Sequence, residues 1–339
     1  NTFIMTGEEI QHLIAGTLPA PCDNPQLTET HISWVILCEE RVFKIKKPLK
    51  YSFLDFSTLE KRRHYCEREV ELNNRLTEGV YIDVLPVRKT DSGFFIGSGQ
   101  GEVVDFAVHM RKLDNNRRMD VLLQNGKVRE EHIHSLARKL VRFHRDALIV
   151  YPNDPLDIQR KFNDVEGQRQ FIREALGERY AEILDNTLRK SDEFVSGNKR
   201  LFEDRIEDGF HRDGHGDLHS RNIFLLDEPV IFDCIEFNDD YRQVDVLNEV
   251  AFLCMDLDAF GRGDLARIFM ADYTSQFSAI SGARDVALFN YYKCYRANVR
   301  AKVNSLRAKD AAESGAASNA LRETARYLDL MYAYTEGFG

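Results

Sequence analysis

Residues 211–236, HRDGHGDLHSRNIFLLDEPVIFDCIE, constrain this chain more than any other stretch. Two short apolar runs, 223–226 and 230–232, are separated by Asp227-Glu228-Pro229, which reads as the turn of a small hairpin. Asp217 precedes the first run, Asn222 lies five residues after it, and Asp233 ends the second run. A hairpin bringing one carboxylate, one amide and a second carboxylate to a common end makes a hard, oxygen-lined site. Such a site suits Mg²⁺, which is usually held by one or two carboxylates together with substrate phosphates. Asp217, set slightly apart, is placed to take the proton of an attacking hydroxyl.

The stretch resembles the catalytic and metal-binding segment of the protein-kinase-like superfamily in its aminoglycoside-phosphotransferase form, where HGDLHxxN replaces HRDxxxxN. The resemblance implies that Asp217 is the catalytic base, and that Asn222 and Asp233 bind Mg²⁺ against the nucleotide phosphates. Two literal His-Arg-Asp triplets, at 144–146 and 211–213, are decoys. The family pattern needs Asn five positions after the Asp, and those positions hold Tyr151 and Leu218. The first triplet also ends a helical pattern, so it reads as a helix C-terminus.

The likeness extends along most of the chain through ETHISWV, VFKIKKP, FLDFSTLEKR, IFDCIEFND and DVLNEVAFLCMDLDA. It implies an α+β, bilobal, protein-kinase-like fold: a small antiparallel sheet with one long helix over residues 1–113, then a larger helical part over 114–339 carrying the catalytic loop and hairpin. In the first part, runs 31–37 and 41–46 form a hairpin, and Lys44 and Lys46 fall on one face of the second strand. The superfamily's phosphate-gripping lysine corresponds to Lys44, with Lys46 as rival. Residues 57–76 read as a helix opened by a Ser57–Glu60 capping box, with an apolar stripe through Leu59, Tyr65 or Cys66, Val70, Leu72 and Leu76. Glu67, Glu69 and Glu71 compete to pair with Lys44; the family's Glu-to-Leu spacing selects Glu69, with Glu67 second.

A further hairpin is expected from strands 81–88 and 103–113, its tip holding Gly97, Gly99 and Gly101. These glycines precede a strand rather than a helix, so no helix N-terminus is available there for phosphate. The phosphate-covering loop falls instead near 28–33. Strand 103–113 runs into a polar linker, as a kinase hinge does, and Met110, Arg111 and Leu113 become the expected contacts to the nucleotide base.

Beyond residue 116 the pattern is helical: 130–146, 155–176, 178–196, 199–208, 245–258, 264–277, 285–309 and 320–335. Asp245 is expected to cap its helix, and by resemblance to brace the catalytic loop. Lys293, Arg296, Arg300 and Arg307 form a basic stripe, which reads as a solvated face. Turned inward, it would repel a polycationic acceptor and favour an acidic one. Residues 311–319, AAESGAASN, read as a small-residue linker.

The net charge of −9 disfavours a nucleic-acid binder, and no run of about 18 apolar residues predicts a membrane span. Six cysteines without CxxC pairs predict reduced thiols and a cytoplasmic location. No secretory signal is visible, and the opening Asn1 predicts a start that is missing or replaced. Many members of the resembled subgroup carry a C-terminal ATP-binding domain with a phosphate loop. This chain has no GxxxxGK[ST], so the expectation is either a single-domain member or a cut chain, with a C-terminal or separate ATP-binding domain as the partner in the second case.

The expected function is transfer of a phosphoryl group from ATP, or GTP, with Mg²⁺, to a hydroxyl of a small molecule. Two other readings compete. A protein kinase is disfavoured because about a dozen residues separate Asp233 from the helix at Asp245, leaving little room for a peptide platform. A non-catalytic nucleotide-binding module is disfavoured because every metal and base position is filled.

Overall fold

The computed structural model describes residues 4–16, 18, 19, 22–311 and 315–338. It is an α+β protein in two compact units, Asn1–Leu122 with Arg221–Arg242, and Leu123–Ser220 with Gln243–Gly339. The catalytic hairpin thus groups with the β-rich part, while Asp217 belongs to the helical one.

The first unit is built on a six-stranded antiparallel sheet. Its spatial order is Gln26–Glu29, Ser33–Leu37, Arg41–Lys46, Glu102–Arg111, Tyr81–Thr90 and Gly93–Ile96. The first and last of these strands are additions to the sequence reading, which had placed a loop at one and a flexible tip at the other. Strand alternation divides the sheet into two faces. Phe43 and Ile45 join Trp34, Ile36 and Ala107 in one core, covered by Ile10 and Leu13 of the helix Gly7–Ala15. Val42 points the other way with Val108 and Met110, toward Cys66 of the helix Leu59–Asn73.

That helix departs from expectation in two ways. Its N-cap is Thr58, whose hydroxyl accepts from Lys61 N–H at 3.3 Å; Ser57 is bonded to Asp55 instead. Its buried stripe is also polar. Arg62, Cys66, Glu69 and Asn73, at helical spacing, are all buried, whereas Tyr65 and Val70 are only partly so. These side chains are engaged: the Arg62 Nε donates to both Asp105 oxygens at 2.9 and 3.0 Å, with only its Nη2 buried without an acceptor, and Asn73 accepts from Cys234 N–H at 2.9 Å. Groups of this kind are tolerated in a core only when so satisfied.

Cys22 and Cys38 form a disulfide, while Cys66, Cys234, Cys254 and Cys294 are buried thiols. The expectation of reduced thiols therefore fails for this pair, and the cytoplasmic location inferred from unpaired cysteines loses its support. The signal was missed because the two residues lie 16 apart, bridged by tertiary pairing rather than by a local motif. Closing a loop of this size limits the unfolded chain by about 3 kcal/mol. Reduction with a non-thiol phosphine is accordingly expected to lower the free energy of unfolding by about that amount, read from the urea midpoint at constant slope.

The second unit is helical, and the helices Glu130–Asp146, Glu178–Gly197 and Lys199–Glu207 fall where periodicity placed them. The expected helix over 155–176 is broken into Asp157–Asn163, a 3₁₀ turn Asp164–Gln168 and Arg169–Leu176, the turn containing Gly167. Residues 312–314 of the expected linker lie outside the described residues, and 315–319 open the helix Gly315–Thr335. No helix among the described residues is long and apolar enough to cross a membrane.

Candidate active site

In the first unit, Lys44 and Lys46 share the sheet face toward helix Leu59–Asn73, as the two-residue period requires. Glu69 receives both. Lys44 Nζ donates to Glu69 Oε1 at 2.9 Å, and Lys46 Nζ to Glu69 Oε2 at 2.6 Å. Lys44 also reaches Asp233 Oδ1 at 2.8 Å, while Lys46 reaches Glu236. Lys46 is sealed at 0% exposure, whereas the Lys44 side chain keeps 15%. The rivalry between the two lysines is therefore one of position along a shared network, with Lys44 on its open side. Glu67, the second choice, pairs with Arg63 on the surface instead.

Charge keeps this network ionised. Burial pushes the Glu69 carboxyl up, but Lys44 and Lys46 outweigh it and bring it down to about 2. For Lys44, burial opposes the charge, and Asp233, Glu69 and Glu236 overcome it, raising its pKa well above the ordinary value. Glu236 goes the other way: burial raises its pKa, only partly offset by Lys46. At 5% exposure it is a core residue, closed to an acceptor.

The hairpin pairs Ile223–Phe224 with Val230–Ile231. It holds Asn222, whose backbone carbonyl accepts from Phe232 N–H at 3.0 Å, and it ends at Asp233. Asp233 has φ +61°, a value no other non-glycine among the described residues shares. A side chain in the left-handed region carries strain that the surroundings must over-determine, and such strain collects at functional positions. Here the constraint comes from neighbours on both sides: Asp233 N–H donates to Tyr81 Oη at 3.2 Å, and Cys234 N–H to Asn73. Asp233 keeps one carboxylate oxygen free of hydrogen bonds on a side chain 45% exposed. An open hard oxygen from Asp233 and an amide oxygen from Asn222 are a donor set that fits Mg²⁺ shared with phosphates. The expected hinge residues lie at the end of strand Glu102–Arg111 and just beyond, where Arg111 N–H bonds Val80 O and Lys112 N–H bonds Glu40 O, both at 2.8 Å.

In the second unit, Asp217 sits in a loop whose backbone is held by two carboxylates from one apolar helix, Val246–Ala259. Glu249 accepts from His215 N–H at 2.6 Å, and Asp256 from Ser220 N–H at 2.8 Å. Seven residues apart, they share a helix face. Glu249 is steadied by His144, which in turn bonds Tyr273 Oη at 2.6 Å. Gly214 makes the approach possible, since a Cβ there would stand 1.9 Å from Glu249 Oε2. Asp245 caps its own helix as expected, accepting from Leu247 N–H at 2.8 Å, but it pairs with buried Arg205 rather than bracing this loop. The bracing residues were missed, although two acids in so apolar a helix were a readable signal of buried polar work.

Asp217 is half-buried and accepts from His219 Nε2 at 3.3 Å. Burial acts to raise its carboxyl, but His219, His215 and Arg300 outweigh that and hold it below the usual carboxylate range. The basic stripe is a solvated face only at Arg307, which is exposed: Arg296 and Arg300 are 5% and 8% exposed, and Lys293 pairs with Asp258 at 3.3 Å.

No family model matches the chain. It is 35% identical over 285 residues to uncharacterized proteins of Mycobacterium tuberculosis (strain ATCC 25618 / H37Rv) and Mycobacterium bovis (strain ATCC BAA-935 / AF2122/97). The match takes in 82% of this chain and 54% of each relative, so the chain spans about half the length of the curated relatives it matches. Among solved structures, a choline/ethanolamine kinase family protein from Mesorhizobium loti aligns with TM-score 0.55 at 13% identity, over 98% of this chain and 99% of that one. A choline kinase from Cryptosporidium parvum Iowa II aligns with TM-score 0.55 at 11% identity, over 91% and 88%. The GDP and kanamycin complex of APH(2")-IIia gives 0.52 at 13%, over 97% and 99%. Together with the sheet and the hairpin, these likenesses show that the chain has the kinase-like fold that these structures share.

Proposed function

We propose that this protein is an ATP-dependent phosphotransferase acting on a hydroxyl of a small molecule. The observation that supports this best is Lys44, ion-paired at once to Glu69 and to the strained Asp233, the arrangement that phosphoryl-transfer enzymes of this fold use to hold a nucleotide's phosphates. In this reading Lys44 grips the phosphates and Glu69 fixes Lys44. Asn222 and Asp233 would hold Mg²⁺, which when bound neutralises charge on the phosphate oxygens. Met110, Arg111 and Leu113 border the nucleotide base. Asp217 orients the acceptor hydroxyl and takes its proton as the new O–P bond forms; the bond from the γ-phosphorus to the bridging oxygen breaks, and ADP leaves. Little covalent chemistry is asked of the protein, so positioning and charge carry the rate.

The structural neighbours named for choline, ethanolamine and kanamycin make alcohols a reasonable first acceptor class. The test is a thermal shift with ATP and Mg²⁺, followed by ATP consumption across a panel of hydroxyl metabolites. Acceptor-stimulated consumption supports the reading; a shift without stimulation by any acceptor favours a nucleotide-binding regulator. Asp233→Ala is expected to weaken Mg²⁺-dependent ATP binding about tenfold or more in the same thermal titration, since it removes a charge-bearing metal ligand.

A further inference from the structure

On the helix Ala283–Asp310, Arg296 and Arg300 stand one turn apart on the same face, both buried. Their surroundings differ. Arg296 donates from Nε to Asn248 Oδ1 at 2.7 Å and from a terminal nitrogen to Gly216 O at 3.0 Å, with the Phe252 ring 4.8 Å away. Those neutral acceptors make it a brace for the loop that carries Asp217. Arg300 forms no ion pair with any described carboxylate, and its Nε is buried without an acceptor. The Tyr327 ring lies 5.5 Å from its guanidinium carbon. Asp256, one of two acids whose charge acts on it, is already engaged by Ser220; the other is Asp217.

A guanidinium does not shed its proton to escape burial, so Arg300 stays charged. Burial acts against that charge, and Tyr327, Asp256 and Asp217 outweigh it without an ion pair to any described carboxylate. Two other buried arginines are ion-paired directly: Arg62 to Asp105 and Arg205 to Asp245. Arg300 stands apart from them, next to the loop of the proposed base.

We propose that Arg300 receives an anionic group of the acceptor, so that the molecule presenting its hydroxyl to Asp217 is a hydroxy compound bearing a carboxylate or a phosphate. The hydroxyl half of this statement rests on the phosphotransferase reading; the anion half does not. The guanidinium fork matches either anion with parallel N–H donors, which fixes orientation as well as charge. Asp217 repels the same anion, so the acceptor enters in one direction: anion toward Arg300, hydroxyl toward the carboxylate.

The experiment is calorimetric titration of the full chain with D-glycerate and glycerol 3-phosphate, against choline, ethanolamine and kanamycin. At least one of the anionic probes is expected to bind and the cationic alcohols not to bind. Arg300→Met is expected to weaken anion binding about tenfold or more, with Arg300→Lys recovering part of it. Preference for the cationic probes, absence of binding by both anions, or unchanged anion affinity in the Met variant would each overturn the proposal. If the Met variant does not fold, Arg300 is structural and the proposal falls with it, unless the wild-type panel selects anions and Arg300→Lys alters their affinity. ATP consumption stimulated by a cationic alcohol would sustain the phosphotransferase reading while defeating this one. Arg300-dependent anion binding with no stimulated consumption would do the reverse.

Discussion

Asp217→Asn is expected to lower kcat about a thousandfold while leaving ATP affinity within about twofold of wild type. The asparagine keeps the size and one acceptor of the carboxylate but cannot accept the hydroxyl proton. ATP affinity is spared because the Lys44–Glu69–Asp233 set lies in the other compact unit. The magnitude is that of losing a positioned general base. Burial acts to raise the Asp217 carboxyl, but His219, His215 and Arg300 outweigh it and hold it below the usual range. Its depressed pKa also fixes the pH behaviour. Asp217 is already ionised throughout the neutral range, so the wild-type profile should show no loss of activity from this group down to about pH 4. Single-turnover phosphoryl transfer, with nucleotide affinity measured separately, checks both parts. A loss smaller than about tenfold would remove Asp217 from the role of base and leave it as a hydroxyl-orienting residue at most.

The hairpin was legible because its pattern is local. Asp217, Asn222 and Asp233 fall within one short stretch, and the runs between them can only be a small hairpin. The helices 130–146 and 178–196 were legible for a similar reason, since period and caps are written in consecutive residues. What sequence could not supply was the partner of each buried polar group. On helix Leu59–Asn73 an apolar stripe was sought; Cys66 and Leu72 of it are buried, and Arg62, Glu69 and Asn73 are buried beside them. Tertiary partners on the neighbouring strand and beyond the hairpin compensate these polar side chains, which hydrophobicity alone does not find. Once Cys66 is known to be buried, helical spacing alone selects Glu69 over Glu67 and Glu71. The same blindness hid Glu249 and Asp256, and it turned Arg296 and Arg300 into an expected solvent face. In each case the error has one cause: a buried charge looks like a surface charge until its surroundings are known.

Glu69 is where these points become a measurable energy. Its two oxygens serve two lysines, one of them sealed from solvent, and the residue itself is 0% exposed. Glu69→Gln keeps the shape but removes the charge, leaving Lys46 to Glu236 alone and Lys44 to Asp233 alone. Removing one partner from a buried ionic group costs about 3–5 kcal/mol, because the remaining charge is left uncompensated. Urea unfolding should show a loss in that range. The Glu69→Gln, Lys46→Met double variant should recover part of it, since the sealed cation has then gone as well; the cycle yields the coupling directly. The pH dependence carries the sign. Glu69 is depressed from its ordinary 4.5 to about 2, so the folded state binds its proton less readily than the unfolded state does. Its contribution is therefore complete above about 4.5 and fades as pH falls toward 2. The difference in stability between wild type and Glu69→Gln should narrow across that interval and stay constant at higher pH. A difference that persists undiminished near pH 2 would mean that packing, rather than the shared carboxylate, holds Lys44 and Lys46 in place.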